Sequence, residues 1–161
     1  MRGSVPYFKC AAIVLHIVSC QPAETGLAED QRAIGKAVEQ AWAEMMDGAR
    51  ALDAARIRAG YVAQPTLAVN GAIIENFDTR FEETKHWLGS LSHLDAIYDN
   101  VHLEILTPNL AIATMNHHLK WTDTVGVDGE WHSAWTALFR KIDGAWKIDF
   151  SHESETSPER R

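Results

Sequence analysis

Near the C-terminus two alternating runs flank the dipeptide Asp143-Gly144. Trp131-His-Ser-Ala-Trp-Thr-Ala-Leu-Phe-Arg-Lys-Ile142 precedes it, and Ala145-Trp-Lys-Ile-Asp-Phe-Ser-His-Glu-Ser154 follows. Asp-Gly between such runs predicts a two-residue hairpin turn, because both central residues must take positive φ. A tight hairpin dictates its own register. Ile142 is then opposite Ala145, Phe139 opposite Ile148, Ala137 opposite Phe150 and Trp135 opposite His152. Side chains alternate along a strand, so the last three pairs share one face. An aromatic face that ends in a histidine has the composition of a pocket wall.

The N-terminal half has a different period. Ile34, Ala37, Val38, Ala41, Trp42, Met45 and Met46 recur at three- and four-residue spacing, which predicts a helix from near Ala28 to Asp47-Gly48. A second helix is expected from Ala49 to about Tyr61, ended by Gln64-Pro-Thr-Leu-Ala-Val-Asn-Gly71, since proline disfavours helix just before itself. A third is expected from about Glu75 to Leu91, with Phe77, Phe81, Thr84, Trp87, Leu88 and Leu91 on one side. Period two returns at Val101, Leu103 and Ile105, turns at Thr107–Leu110, and continues from Ala111 to Thr122. Helices followed by a meander predict an α+β domain, three N-terminal helices packed on a curved antiparallel sheet that forms a cone with an internal pocket. The expected divisions are 1–19 as a signal segment, 20–27 as a tether, 28–154 as the domain and 155–161 as a polar tail.

The first segment has the form of an export signal. Arg2 and Lys9 precede a short apolar run, Cys10 to Val18, too short to span a bilayer. Its ending, Ile17-Val18-Ser19-Cys20, resembles a bacterial lipobox, which implies cleavage before Cys20, lipidation of its thiol and a place in the cell envelope. An ordinary secretory signal cut near Ala23 is the alternative. Cys10 and Cys20 are the two cysteines of the chain. With both accounted for, no thiol remains for a disulfide, a metal or a nucleophile. Loss of residues 1–19 lowers Lys plus Arg from 15 to 13 against 22 Asp plus Glu, a charge near −9. An acidic chain without a basic run speaks against nucleic acid, and leaves the lipid as its contact with membranes.

The order of elements, with the helix around Trp42 ending in Asp47-Gly48, the turn at Asn109-Leu-Ala111, and Asp143-Gly-Ala-Trp-Lys-Ile148 closing on Ser151-His-Glu-Ser154, resembles the nuclear transport factor 2-like superfamily and its SnoaL-like branch. The resemblance spans most of residues 28–154. It implies a cone with a deep pocket, often dimeric through its sheet. It leaves open isomerase, dehydratase or cyclase chemistry, plain ligand binding, and a non-catalytic association or envelope module, since fold does not define function.

Extending the register by pairing Leu106 with Ala111 places Val101, Leu103, Ile105, Ile112, Thr114, Asn116, His118, Trp135, Ala137, Phe139, Trp146, Ile148, Phe150 and His152 on the concave face. His118 and His152 are then the candidate acid and base, since imidazole titrates near neutrality and can donate and accept. Trp42, Tyr61, Trp87, Thr114, Asn116, Trp135 and Phe139 are the candidate ligand contacts, for a small and largely apolar molecule. No carboxylate falls on this expected face, which sets the chain apart from ketosteroid isomerase-like sites. The eight histidines show no ligand spacing for a metal. No motif points to a cofactor.

Overall fold

A computed structural model describes residues 24–155, with side chains described from Asp30 onward. The signal segment, Cys10 and Cys20 lie outside the described residues. Helix α1 spans Glu24–Arg50 and α2 spans Ala54–Ala59. Strands β1 (Tyr61–Val69) and β2 (Ala72–Ile74) come next, then helix α3 (Phe77–Gly89). Four long strands complete the chain: β3 (Leu91–Thr107), β4 (Leu110–Asp123), β5 (Asp128–Ile142) and β6 (Ala145–Glu155). The strands form one curved, unclosed six-stranded sheet in the order β2-β1-β6-β5-β4-β3.

Helices α1 and α3 lie where their periodicity put them. Val38, Met45, Met46 and Ala49 of α1 are buried against the sheet, with Ile34, Ala41 and Trp42 packed beside them. Arg50 Nη2 donates to the Ala96 carbonyl at 2.7 Å and fastens the end of α1 to β3. Helix α2 is much shorter than expected. Leu52 takes φ of 55°, which no helix interior accepts, and Asp53 then caps a fresh start by accepting from the Arg56 N–H at 3.1 Å. Asn76 caps α3 in the same way through the Thr79 N–H at 3.0 Å.

The stretch expected to end a helix is instead a strand. Asn70 and Gly71, at φ of 49° and 82°, turn β1 into β2. β1 then runs parallel to β6, so the otherwise antiparallel sheet has one parallel ladder. Pro65 sits between the Tyr61–Ile148 and Thr66–Phe150 pairs, where that ladder is interrupted and no proline N–H is required.

The hairpin turn is as expected, with Asp143 at 50° and Gly144 at 83°, and Ile142 pairs with Ala145 and Phe139 with Ile148. Beyond that point the register departs from expectation. Leu138 pairs with Phe150, which leaves Asp149 as an extra residue on β6. This is a β-bulge, in which two residues of one strand oppose one of the other. Asp149 is ion-paired to Arg140 on the outer face. Past the bulge Ala137 pairs with Ser151 and Trp135 with Glu153, so Ser151 and Glu153 face inward. A second bulge lies at Leu106, because Thr107 pairs with Leu110 while Ile105 pairs with Ala111. The whole of β4 is thereby inverted against the expected parity. Ala111, Ala113, Met115 and Leu119 are its buried residues.

Candidate active site

Between α3 and the concave face of β1, β6, β5 and β4 lies an open cavity of about 510 Å³. The helix supplies Phe77, Arg80, Phe81, Thr84 and Trp87, whose three- and four-residue spacing puts them on one stripe. The sheet supplies Tyr61, His117, Trp121, Trp131, Trp135 and Glu153. A smaller chamber of about 130 Å³ shares His117, Trp135 and Glu153 as walls and reaches Met45, Leu94 and Tyr98.

At the junction of the two chambers is a polar cluster in an aromatic setting. His117 Nδ1 lies 2.8 Å from Glu153 Oε1, and Ser133 Oγ donates to the same oxygen at 2.6 Å. The cluster is formed by parity alone. His117 and Ser133 are directly cross-strand on β4 and β5, and the Asp149 bulge brings Glu153 inward on β6. Only 13% of the His117 side chain and 16% of the Glu153 side chain are accessible. A carboxylate only accepts, so it holds the proton of a neutral imidazole on Nδ1. The lone pair is then on Nε2, which is buried and makes no hydrogen bond. The ring stacks on Tyr98 at 4.5 Å with a 2° interplanar angle, which leaves it little rotational freedom.

Two phenols complete the site. Tyr61 borders the large cavity and Tyr98 the small one. Burial raises the Tyr61 pKa far above its ordinary value, and the Glu153 charge adds to this. Burial likewise raises that of Tyr98, with Tyr61 and then Glu153 contributing. Both therefore stay protonated and available as hydrogen-bond donors across the physiological range.

The expected site residues divide sharply. Tyr61, Trp87 and Trp135 line the cavity. Phe139 is 1% exposed and belongs to the core. Trp42 packs on Tyr98 at 4.8 Å, edge to face, behind the cavity wall. Thr114, Asn116 and His118 lie on the outer face, because the Leu106 bulge inverts β4. There Asn116 Nδ2 donates to Asp99 Oδ1 at 2.9 Å, and His118 meets the His132 ring at 4.4 Å. His152 is exposed, because the Asp149 bulge turns it outward. The acid–base pair assigned to His118 and His152 is thus corrected: both lie outside the cavity, and the residues one step along each strand, His117 and Glu153, take the inward places. Val101 is exposed as well, while Leu103 and Ile105 pack against the core as expected.

Trp121 was also hidden by the parity error on β4, whereas Trp131 shares the inward face of Trp135 on β5. Trp121 lies over Gly129, its cross-strand partner, where a Cβ would come within 2.4 Å of the indole. It meets Trp87 edge to face at 5.7 Å. Among the described residues no group of three or more His, Cys, Asp or Glu side chains is arranged to hold a metal. No described helix is long and apolar enough to cross a membrane.

No protein-family model matches the sequence, and comparison with curated proteins gives no match. Solved structures do match. A putative scytalone dehydratase from Novosphingobium aromaticivorans superposes with a TM-score of 0.72 at 14% identity, over 81% of this chain and 89% of that one. A nuclear transport factor 2-like superfamily protein from Salmonella enterica gives 0.68 at 12% identity, over 80% and 95%. The hexachlorocyclohexane dehydrochlorinase LinA-type3 from Novosphingobium barchaimii gives 0.65 at 12%, over 81% and 91%. The chain therefore has the nuclear transport factor 2-like cone fold, the fold its sequence resembles. Both a dehydratase and a dehydrochlorinase stand among its structural neighbours.

Proposed function

We propose that this protein is a cofactor-independent enzyme of the lyase or isomerase kind. It acts on a small, uncharged, largely apolar molecule by moving a proton at carbon. The observation that carries the reading is the His117–Glu153 pair, at 2.8 Å, on the wall of an aromatic cavity. Nε2 of His117 takes a proton from a carbon made acidic by a neighbouring electron-withdrawing group. The electron pair left behind either moves onto a carbonyl oxygen or expels a leaving group. Glu153 stabilises the imidazolium that forms, and Ser133 keeps the carboxylate in place. The neutral phenols of Tyr61 and Tyr98 donate to developing negative charge. The imidazolium then returns the proton to the product, to the leaving group or to water. The names of the structural neighbours, a dehydratase and a dehydrochlorinase, favour elimination.

Deuterium exchange tests this. The protein in heavy water is expected to accelerate loss of the hydrogens next to the carbonyl of 1-tetralone, followed by NMR. His117→Gln is expected to lower that rate at least 100-fold. Absence of acceleration by the unaltered protein refutes proton-transfer chemistry. Binding of 1-tetralone without exchange supports the second reading, a ligand carrier, which the aromatic lining of the 510 Å³ cavity favours.

The proposal extends to location: the lipobox-like ending at Cys20 supports an exported protein anchored in the cell envelope by lipid. Cys20→Ser is expected to move the protein from the membrane fraction to the soluble one; an unchanged membrane fraction refutes lipidation.

A further inference from the structure

We infer that Trp131 is a specificity residue, and that the ligand carries a hydrogen-bond acceptor at the end remote from His117. The starting point is an unsatisfied donor. Nε1 of Trp131 is buried, makes no hydrogen bond, and belongs to a side chain that lines the large cavity. A buried indole N–H normally finds a partner, because leaving it unpaired forfeits its interaction with water. Among the described residues no group serves, so the partner is assigned to an occupant of the cavity.

The position of Trp131 gives this a scale. Trp131 and Ser133 are two residues apart on one face of β5, and Ser133 is directly opposite His117. Two strand residues advance the chain by about 7 Å. The backbone positions that carry the proton-transfer group and the unpaired donor are thus offset along the sheet by roughly the length of a fused two-ring system. The cavity walls around them include Trp87, Trp121, Trp135 and Leu119, which offer surface for a flat apolar body.

Charge narrows the class further. An anion here faces the Glu153 carboxylate in surroundings that screen it poorly. The charged group of a cation only donates and offers the indole no acceptor. The chemistry that satisfies the site is an uncharged ligand of about two fused rings, reactive at one end and bearing an ether, hydroxyl or carbonyl oxygen at the other. This rests on the cavity described above. It does not require that a reaction occur there.

Binding of two matched probes, 6-methoxy-1-tetralone and 6-ethyl-1-tetralone, by calorimetry tests it. They differ in the remote acceptor and little in shape. The full-length protein is expected to prefer the methoxy compound by about five- to tenfold, the range of one net hydrogen bond. Trp131→Phe removes the donor together with part of the aromatic wall, so it is expected to weaken both compounds and to abolish the preference between them. An unchanged circular dichroism spectrum and urea midpoint are the control for folding. A preference that persists in Trp131→Phe overturns the assignment, as does the absence of any preference, or of any binding, in the unaltered protein. Failure of the deuterium exchange alone leaves the result intact, so the two readings fall separately.

Discussion

His117 and His118 are neighbours on one strand and have nothing else in common. His117 is 13% accessible, bonded to a buried carboxylate and stacked on a phenol. His118 is 30% accessible and 3.6 Å from the half-exposed Asp99, on a face open to solvent. The side chain is the same and the chemistry available to it is not. In water an ion pair such as His118–Asp99 contributes little, because both charges are hydrated and screened. Inside the cavity the carboxylate fixes a tautomer, and the stacked ring fixes a direction. What separates the proposed general base from a surface histidine here is one step of strand parity.

That contrast can be broken or sharpened by measurement. The largest effect is expected from Glu153→Gln, which keeps the shape of the carboxylate and removes its charge. The amide cannot hold one imidazole tautomer or stabilise imidazolium, so deuterium exchange should fall by about 100-fold or more. An exchange rate within a few-fold of the original would mean that Glu153 is structural only. An intermediate effect is expected at alkaline pH. The raised pKa of Tyr61 and Tyr98 means that unfolded phenols lose protons near pH 10.0 while folded ones do not. The unfolded state then binds fewer protons, so stability is full below that pH and declines above it. Urea midpoints measured from about pH 9 to about pH 11 should fall, with phenolate absorbance appearing only on unfolding; Tyr98→Phe should flatten the decline. The smallest effect is expected from His118→Gln. Exchange should stay within about twofold and stability within about 0.5 kcal/mol. A large loss there would overturn the division between the two faces.

Much of the architecture was legible because it follows from period. The stripe of α1, the face of α3 and the Asp143-Gly144 turn each depend on local spacing, and each is found. β1 was legible in part. Asn70-Gly71 carries the same turn signal as Asp143-Gly144, but Pro65 reads first as the end of a helix, and the interrupted ladder with β6 is what makes room for it in a strand. The site residues on β4 and β6 were not legible. Alternation predicts sides only until an extra residue intervenes, after which every later side chain is on the opposite face. Leu106 and Asp149 are those residues, and neither is a glycine or proline that would mark a bulge. On β5, which carries no extra residue, Trp135 faces the cavity as the alternation requires. The aromatic character of the wall was readable; the identity of its polar atoms was not.

The Asp149 bulge has a consequence in terms of gene change. It marks a place where the sheet accommodates one codon more than the partner strand supplies, with Glu153 still opposite Trp135. Removal of that codon would straighten β6 and leave the same residues beneath the helices. One codon added beyond it, between Ser151 and Glu153, would carry the carboxylate out to solvent and deprive His117 of its partner. Within a few positions, the same kind of mutation leaves the His117–Glu153 pair in place on one side and breaks it on the other. Along β6, insertions and deletions are therefore expected to collect at the bulge and to be absent just after it.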